Sequence, residues 1–240
     1  MKKWIFALVI LVLLGGAFFW AAGPAAAQNV VDLDTAAVDA LVEAQMKKHS
    51  LPGVALAITQ GEEIVYLKGF GTAGGGREMI AQTPLYIGSI SKPFTSLAVM
   101  QLVEEGKIDL NAPVQTYLSW FAVADEEASR TITIRNLLNH TSGLSDAGFD
   151  RILPTDISRE EAVRALSEAR LTVPVGKQTQ YFNLNFTVLS LVVETVTGQS
   201  FEDYLQENIF DPLDMGHTHT SLETAQADGC LPGIHAFLAW

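Results

Sequence analysis

Two stretches carry side chains that could do chemistry. In the first, YIGSISKPFTSLAVMQLVEEG (residues 86–106), Ser89 stands three places before Lys92, and a long apolar run follows at once. Residues three apart on a helix share a face. A helix opening near Ser89 would therefore return the Lys92 amine to the Ser89 hydroxyl. An alcohol is a weak nucleophile and needs a base beside it. A lysine serves as base only when its charge is suppressed; burial and the positive end of the helix dipole both push that way. The same helix start offers backbone N–H groups to a developing oxyanion, where one lost donor typically costs about 2.7–4 kcal/mol of transition-state stabilisation. Pro93 fits, because first-turn N–H groups have no partner inside the helix. The chemistry on offer is nucleophilic acyl transfer. Against it stands the plain reading of Ser89 as a helix cap and Lys92 as a solvated charge. With 13 serines and 8 lysines in 240 residues, Ser-x-x-Lys arises by accident roughly 0.4 times.

The second stretch, VPVGKQTQYFNLNF (residues 173–186), places Tyr181 and Asn183 just before a helix and just after a Pro/Gly turn. Side chains beside such a turn can point into a cleft. A tyrosine can relay a proton between serine, lysine and a leaving group. An asparagine can hold a substrate amide with one donor and one acceptor. The plain alternatives are a half-buried aromatic and an N-cap.

These residues need elements to hold them. Residues 35–48 read as an amphipathic helix with Val38, Leu41, Val42 and Met46 on one side, broken by Leu51-Pro52-Gly53. VALAITQ, GEE and IVYLKGF (residues 54–70) read as two strands around a short turn. GTAGGGRE (71–78) reads as a flexible loop; it lacks the Gly-Lys-Ser/Thr ending of a phosphate loop. Lys92 to Glu105 reads as a helix buried on most sides, stopped by Gly106. TITIRNLLNHTSGL predicts a short helix ended near Gly143. Ser158 and Glu161 form a capping box for a helix to about Ala169. A helix over Asn185–Thr197 aligns Leu184, Val188, Leu191, Val192 and Thr195, and Ser200 caps the next, which stops before Pro212. A lone hairpin is marginal in water, and no strong strand pair follows residue 71.

Composition narrows the classes. The chain is 48% hydrophobic, 18% charged and carries a formal net charge of −12. An acidic chain with no basic stripe is ill suited to gripping phosphate backbones, so nucleic-acid binding is set aside. Cys230 is the only cysteine, which excludes an internal disulfide and a Cys-rich zinc site. The N-terminus has a basic start, an apolar stretch from Trp4 to Gly23 and an Ala25-Ala26-Ala27 cleavage pattern. Residues 1–27 are expected to be a signal peptide or an N-terminal membrane anchor, with residues 28–240, enough for one large domain or two small ones, exported. His217 and His219 lack a third ligand at metal spacing and read as solvated loop residues.

Taken together, the stretches YIGSISKPFTSLAVMQLVEEGKIDLNAPVQTYL, ITIRNLLNHTSGL and VPVGKQTQYFNLNFTVLSLVVETVTGQSFEDYLQENIFDPLDMGHT, with the hairpin ahead of them, resemble the serine β-lactamase and penicillin-binding protein superfamily. They are most similar to its class C β-lactamase, D-Ala-D-Ala peptidase and esterase branch. The resemblance implies an α+β, β-lactamase/transpeptidase-like fold: an antiparallel sheet with flanking helices plus a helical region, the sheet being incomplete in this chain. It implies an acyl-enzyme mechanism with Ser89 as nucleophile, Lys92 as base, and Tyr181 and Asn183 as the second motif. The Ser89 N–H would be half of the oxyanion hole, and no metal or organic cofactor is implied. Expected substrates are β-lactams, D-alanyl peptides of the cell wall, or esters; the membrane is a further expected partner through the N-terminal segment. The chain departs from the family at its third motif, Lys-Thr-Gly or His-x-Gly. His140 is followed by Thr-Ser-Gly, His217 and His219 by threonines, and His235 by Ala-Phe. The expectation is a truncated member, and a catalytically impaired remnant or binding protein stands as the alternative to a working hydrolase.

Overall fold

A computed structural model describes residues 33–149 and 157–229. The expected leader, Cys230 and His235 lie outside these residues. The chain forms two compact units. One holds the residues up to Leu51 with Leu56–Lys68; the other holds Pro52–Ala55 with the chain from Gly69 onward.

The first unit contains helix α1 (Thr35–His49). Asp34 caps it by accepting from the Ala37 N–H at 3.0 Å, Lys47, Lys48 and His49 sit at the negative end of its dipole, and Ser50 ends it in the left-handed region. Asp39 projects from α1 to Tyr66 and Lys68, the Lys68 contact measuring 2.6 Å. Those two bonds hold the Asp39 carboxyl below its ordinary pKa. The amphipathic reading of α1 needs correction. Val38, Val42 and Met46 are half-buried, but Leu41 is 61% exposed and the helix has no buried residue.

Strands β1 (Gly53–Gln60), β2 (Glu63–Gly74) and β3 (Arg77–Glu78) form a sheet in that order. The sequence reads Gly71–Glu78 as a loop; instead β2 runs on to Gly74 and pairs antiparallel with β3. Gly75 and Gly76 make the turn with φ of 57° and 76°, and two consecutive positive φ angles are what a two-residue hairpin turn needs. At Gly53, an added Cβ would lie 2.3 Å from the Thr72 carbonyl oxygen. Only glycine allows that approach.

Helices dominate the second unit: α2 (Ser91–Glu104), α3 (Glu126–Thr131), α4 (Ile134–Leu138), α5 (Arg159–Arg164), α6 (Leu184–Thr197), α7 (Phe201–Leu205) and α8 (Leu222–Ala227). Their shared core includes Val99 and Leu102 from α2, Leu137 from α4, Val163 from α5, and Val188, Leu189 and Val192 from α6. The Ser158–Glu161 capping box is present at α5, which continues as a 3₁₀ turn to Glu168. Helix α6 was expected to bury one face; it buries every residue from Leu184 to Val193. Helix α2 does the reverse. It buries Lys92, Thr95, Ala98, Val99 and Leu102 while Leu97 and Met100 stay exposed. Arg159 joins three helices by donating to Glu194 on α6 at 3.0 Å and to Glu202 on α7 at 2.6 Å.

Candidate active site

The nucleophile candidate sits one turn earlier than a simple helix start would place it. Gly88–Ile90 forms a 3₁₀ turn, and α2 proper begins at Ser91, whose hydroxyl donates to the Gly88 carbonyl at 2.6 Å. Residues three apart along this helical entry share a face, which brings Ser89 beside Lys92. Lys92 Nζ donates to Ser89 Oγ at 3.2 Å and to Asn183 Oδ1 at 2.8 Å. The residue is only 7% exposed. Its polar partners among the described residues are thus the Ser89 hydroxyl, the Asn183 amide oxygen and the Tyr181 phenol, not a carboxylate. Nζ also lies 4.8 Å from the centre of the Tyr181 ring.

Tyr181 closes the arrangement. Its hydroxyl oxygen is 2.6 Å from Ser89 Oγ across 92 residues of chain. Burial alone would raise its pKa. Its hydrogen bonds with Lys92 and Ser89, together with the Lys92 charge, outweigh burial and hold Tyr181 below the usual phenol range. Asn183 occupies the N-cap position of α6, but its side chain makes no cap bond; it is spent on Lys92. Ser89, Lys92, Tyr181 and Asn183 therefore converge. The cluster can deprotonate an alcohol, hold it beside two proton-carrying groups, and present an amide to a bound carbonyl.

What holds Tyr181 in place is a loop stitched to the segment after α4. Thr172 N–H donates to the Gly143 carbonyl at 3.0 Å, Gly176 N–H to that of Thr141 at 2.8 Å, and Gln180 N–H to that of His140 at 2.7 Å. Beneath the loop Phe182 is fully buried. His140 takes a positive φ of 55°. Its Nδ1 accepts from the Phe182 N–H at 3.2 Å, and its ring lies 4.7 Å from that of Tyr181 and 5.2 Å from that of Phe186. Sequence reasoning tested His140 only as a third-motif histidine and passed over it. The available signal was its place inside the ITIRNLLNHTSGL stretch. Burial, then the Lys92 charge, pushes its pKa below the ordinary histidine value.

A cavity of about 510 Å³ beside the first turn of α2 is lined by Leu85, Ile87, Phe94, Phe186, Phe210 and Met215, with Lys92 at its wall. Among the described residues no cluster of three or more His, Cys, Asp or Glu is placed to hold a metal. His217 and His219 are not both plain solvated loop residues. Both contact Asp228, and His219, only 20% exposed, does so at 2.9 Å.

The β-lactamase family model matches residues 38–234. The chain belongs to the β-lactamase family. It is 34% identical over 187 residues to penicillin-binding protein 4 of Amycolatopsis lactamdurans, covering 76% of this chain and 48% of that one. Among solved structures, it superposes on the octameric penicillin-binding protein homologue from Pyrococcus abyssi with a TM-score of 0.71 and 28% identity, covering 81% and 46% of the two chains. It also superposes on EstCE1, a hydrolase with promiscuous acyltransferase activity, with a TM-score of 0.67 and 25% identity, covering 75% and 51%. The fold is the β-lactamase/transpeptidase type, in part. The chain spans from 37% to about half of the length of the family members it matches.

Proposed function

We propose that the chain is an exported serine hydrolase whose residues 28–240 act through an acyl-enzyme on Ser89, with a β-lactam, a D-alanyl peptide or an ester as substrate. One observation carries the reading: Ser89 Oγ has Tyr181 Oη at 2.6 Å and Lys92 Nζ at 3.2 Å, on a buried lysine. A general base must lie within hydrogen-bond reach of the proton it takes, and here two groups do. Lys92 and Tyr181 together form the proton-accepting pair beside Ser89. Ser89 Oγ attacks the carbonyl carbon and gives its proton to the pair. The Ser89 N–H receives the oxyanion, and the pair returns the proton to the leaving group as the tetrahedral centre collapses. Water, deprotonated by the same pair, then cleaves the ester and restores Ser89. Asn183 Oδ1 is engaged by Lys92, which leaves its Nδ2 to orient the substrate amide. Kinship with a penicillin-binding protein and with an acyl-transferring hydrolase supports the same reaction class. Export rests on the leader pattern of residues 1–27.

Incubation with a fluorescent penicillin followed by a denaturing gel tests the mechanism. The wild type should take the label and Ser89→Ala should not. An unlabelled wild type, or equal labelling of Ser89→Ala, rejects the proposal. A second reading, a penicillin-binding protein that acylates without turning over, has kinship with penicillin-binding protein 4 in its favour. Labelling without sustained hydrolysis of nitrocefin or nitrophenyl esters selects that reading, and repeated turnover dismisses it.

A further inference from the structure

We propose that His140 is the positioning residue of this site, holding Tyr181 against Ser89 through the Phe182 N–H on one side of its ring and the Tyr181 ring on the other, and that it does so only as the neutral imidazole. The proposal rests on the acyl-enzyme reading above. Nδ1 accepts from the Phe182 N–H at 3.2 Å, so Nδ1 carries the lone pair and the ring proton sits on Nε2. The Asn185 amide nitrogen lies 3.3 Å from the same Nδ1. Asn185 Oδ1 in turn accepts from Ser142 Oγ at 3.0 Å, and both residues are fully buried. A buried chain of donors thus fixes the orientation of the imidazole from below. The His140 carbonyl takes the Gln180 N–H. The residues on both sides of Tyr181 therefore bond to His140, while Tyr181 packs tilted against its ring.

Protonation of Nδ1 removes the acceptor and leaves two donors face to face. Both the Phe182 bond and the seat of Tyr181 are then lost. The titratable groups around the ring are Lys92 from α2 and Tyr181 from the loop; Asp146 also acts on Tyr181. From α6 the ring meets Phe186 and Asn185, neither of which titrates. The positive charge of Lys92 and the burial both favour the neutral form that the geometry needs.

His140→Asn and His140→Phe separate the two contacts. Asparagine tolerates positive φ and brings an acceptor near the Nδ1 position, but neither titrates nor offers a ring. Phenylalanine keeps the ring surface and loses the acceptor. The rate of labelling by a fluorescent penicillin is read from about pH 5 to about pH 8, spanning the ordinary histidine range. The wild-type rate should fall on the acid side through a pKa below about 6.5. His140→Asn should label more slowly than the wild type, having lost the ring contact, but faster than His140→Phe, because its Oδ1 can take the Phe182 N–H, and it should lose that acid limb. His140→Phe should label about 10²-fold more slowly, the cost of a displaced catalytic group. The ¹³Cζ NMR signal of Tyr181, followed over the same pH range, reports its seat whether or not the protein acylates. It should shift with the His140 titration in the wild type and not in His140→Asn. A filler role would lower stability in both variants while leaving the acid limb and the Tyr181 shift in place in His140→Asn; that result overturns the proposal. If the wild type takes no label while the Tyr181 signal follows His140, the hydrolase reading fails and the positioning role stands.

Discussion

At the residue scale, the site places a phenol and an amine around one alcohol, and the amine tunes the phenol. Tyr181 is held below the usual phenol range by hydrogen bonds with Lys92 and Ser89 and by the Lys92 charge, against the upward push of burial. Replacing Lys92 by methionine removes one of those bonds and the charge while keeping the apolar stem beside Phe186. The Tyr181 pKa should therefore rise in Lys92→Met, so that tyrosinate absorbance appears at higher pH than in the wild type. Labelling of Ser89 should slow by about 10²–10⁴-fold in both Lys92→Met and Tyr181→Phe, the usual worth of a positioned acid–base group. A pH titration by ultraviolet difference spectroscopy checks the first outcome, and labelling kinetics the second. An unmoved Tyr181 titration in Lys92→Met would remove the lysine from the account of its acidity.

At the element scale, α5, α6 and α7 are joined by Arg159, whose guanidinium meets Glu194 and Glu202 while about a quarter exposed. Hydrogen bonds to charged groups contribute about 1.5–3 kcal/mol each, and partial exposure discounts that. Arg159→Met leaves two carboxylates facing each other and should cost about 2 kcal/mol, read as a lower urea midpoint with an unchanged slope. Elements were legible in the sequence where local chemistry decides them. The Ser158 capping box, the stop at Gly198 and the Ser200 cap all stand where their residue types put them. Elements decided by tertiary surroundings were not. Gly71–Gly74 reads as loop because glycine lacks strand propensity, yet pairing with β3 makes it strand. The π-turn at Gln206–Phe210 hides inside an ordinary helical pattern. Periodicity put Leu41 on a buried face that α1 does not have. In the site, Ser89 and Lys92 were legible from spacing, but their meeting with Tyr181 drew on the family likeness. His140 was legible only as a member of the ITIRNLLNHTSGL stretch; its role was not, because it depends on a positive φ and on an N–H 42 residues away.

At the scale of the whole molecule, the shifted groups act in one direction as the solution is acidified. His140 is held below its ordinary value by burial and then by Lys92, so the unfolded chain binds its proton first. Stability from this group is complete above about 6.5 and is lost as pH falls from there toward the lower folded value. Asp39, Glu161 and Asp228 are lowered as well: Asp39 by Lys68 and Tyr66, Glu161 by Ser158, and Asp228 by His219 and His217. Their contribution is complete above the ordinary carboxylate range of about 4 and is lost below it. These are separate windows, so the midpoint of thermal unfolding should fall in two stages, one just under neutrality and one in the carboxylate range. His140→Asn should flatten the first stage and leave the second. A wild-type melting temperature constant from about pH 7.5 to about pH 5.5, across the histidine range, would mean that His140 carries its proton equally well in the folded and unfolded chain. The imidazole could then not be the neutral anchor on which the seat of Tyr181 depends.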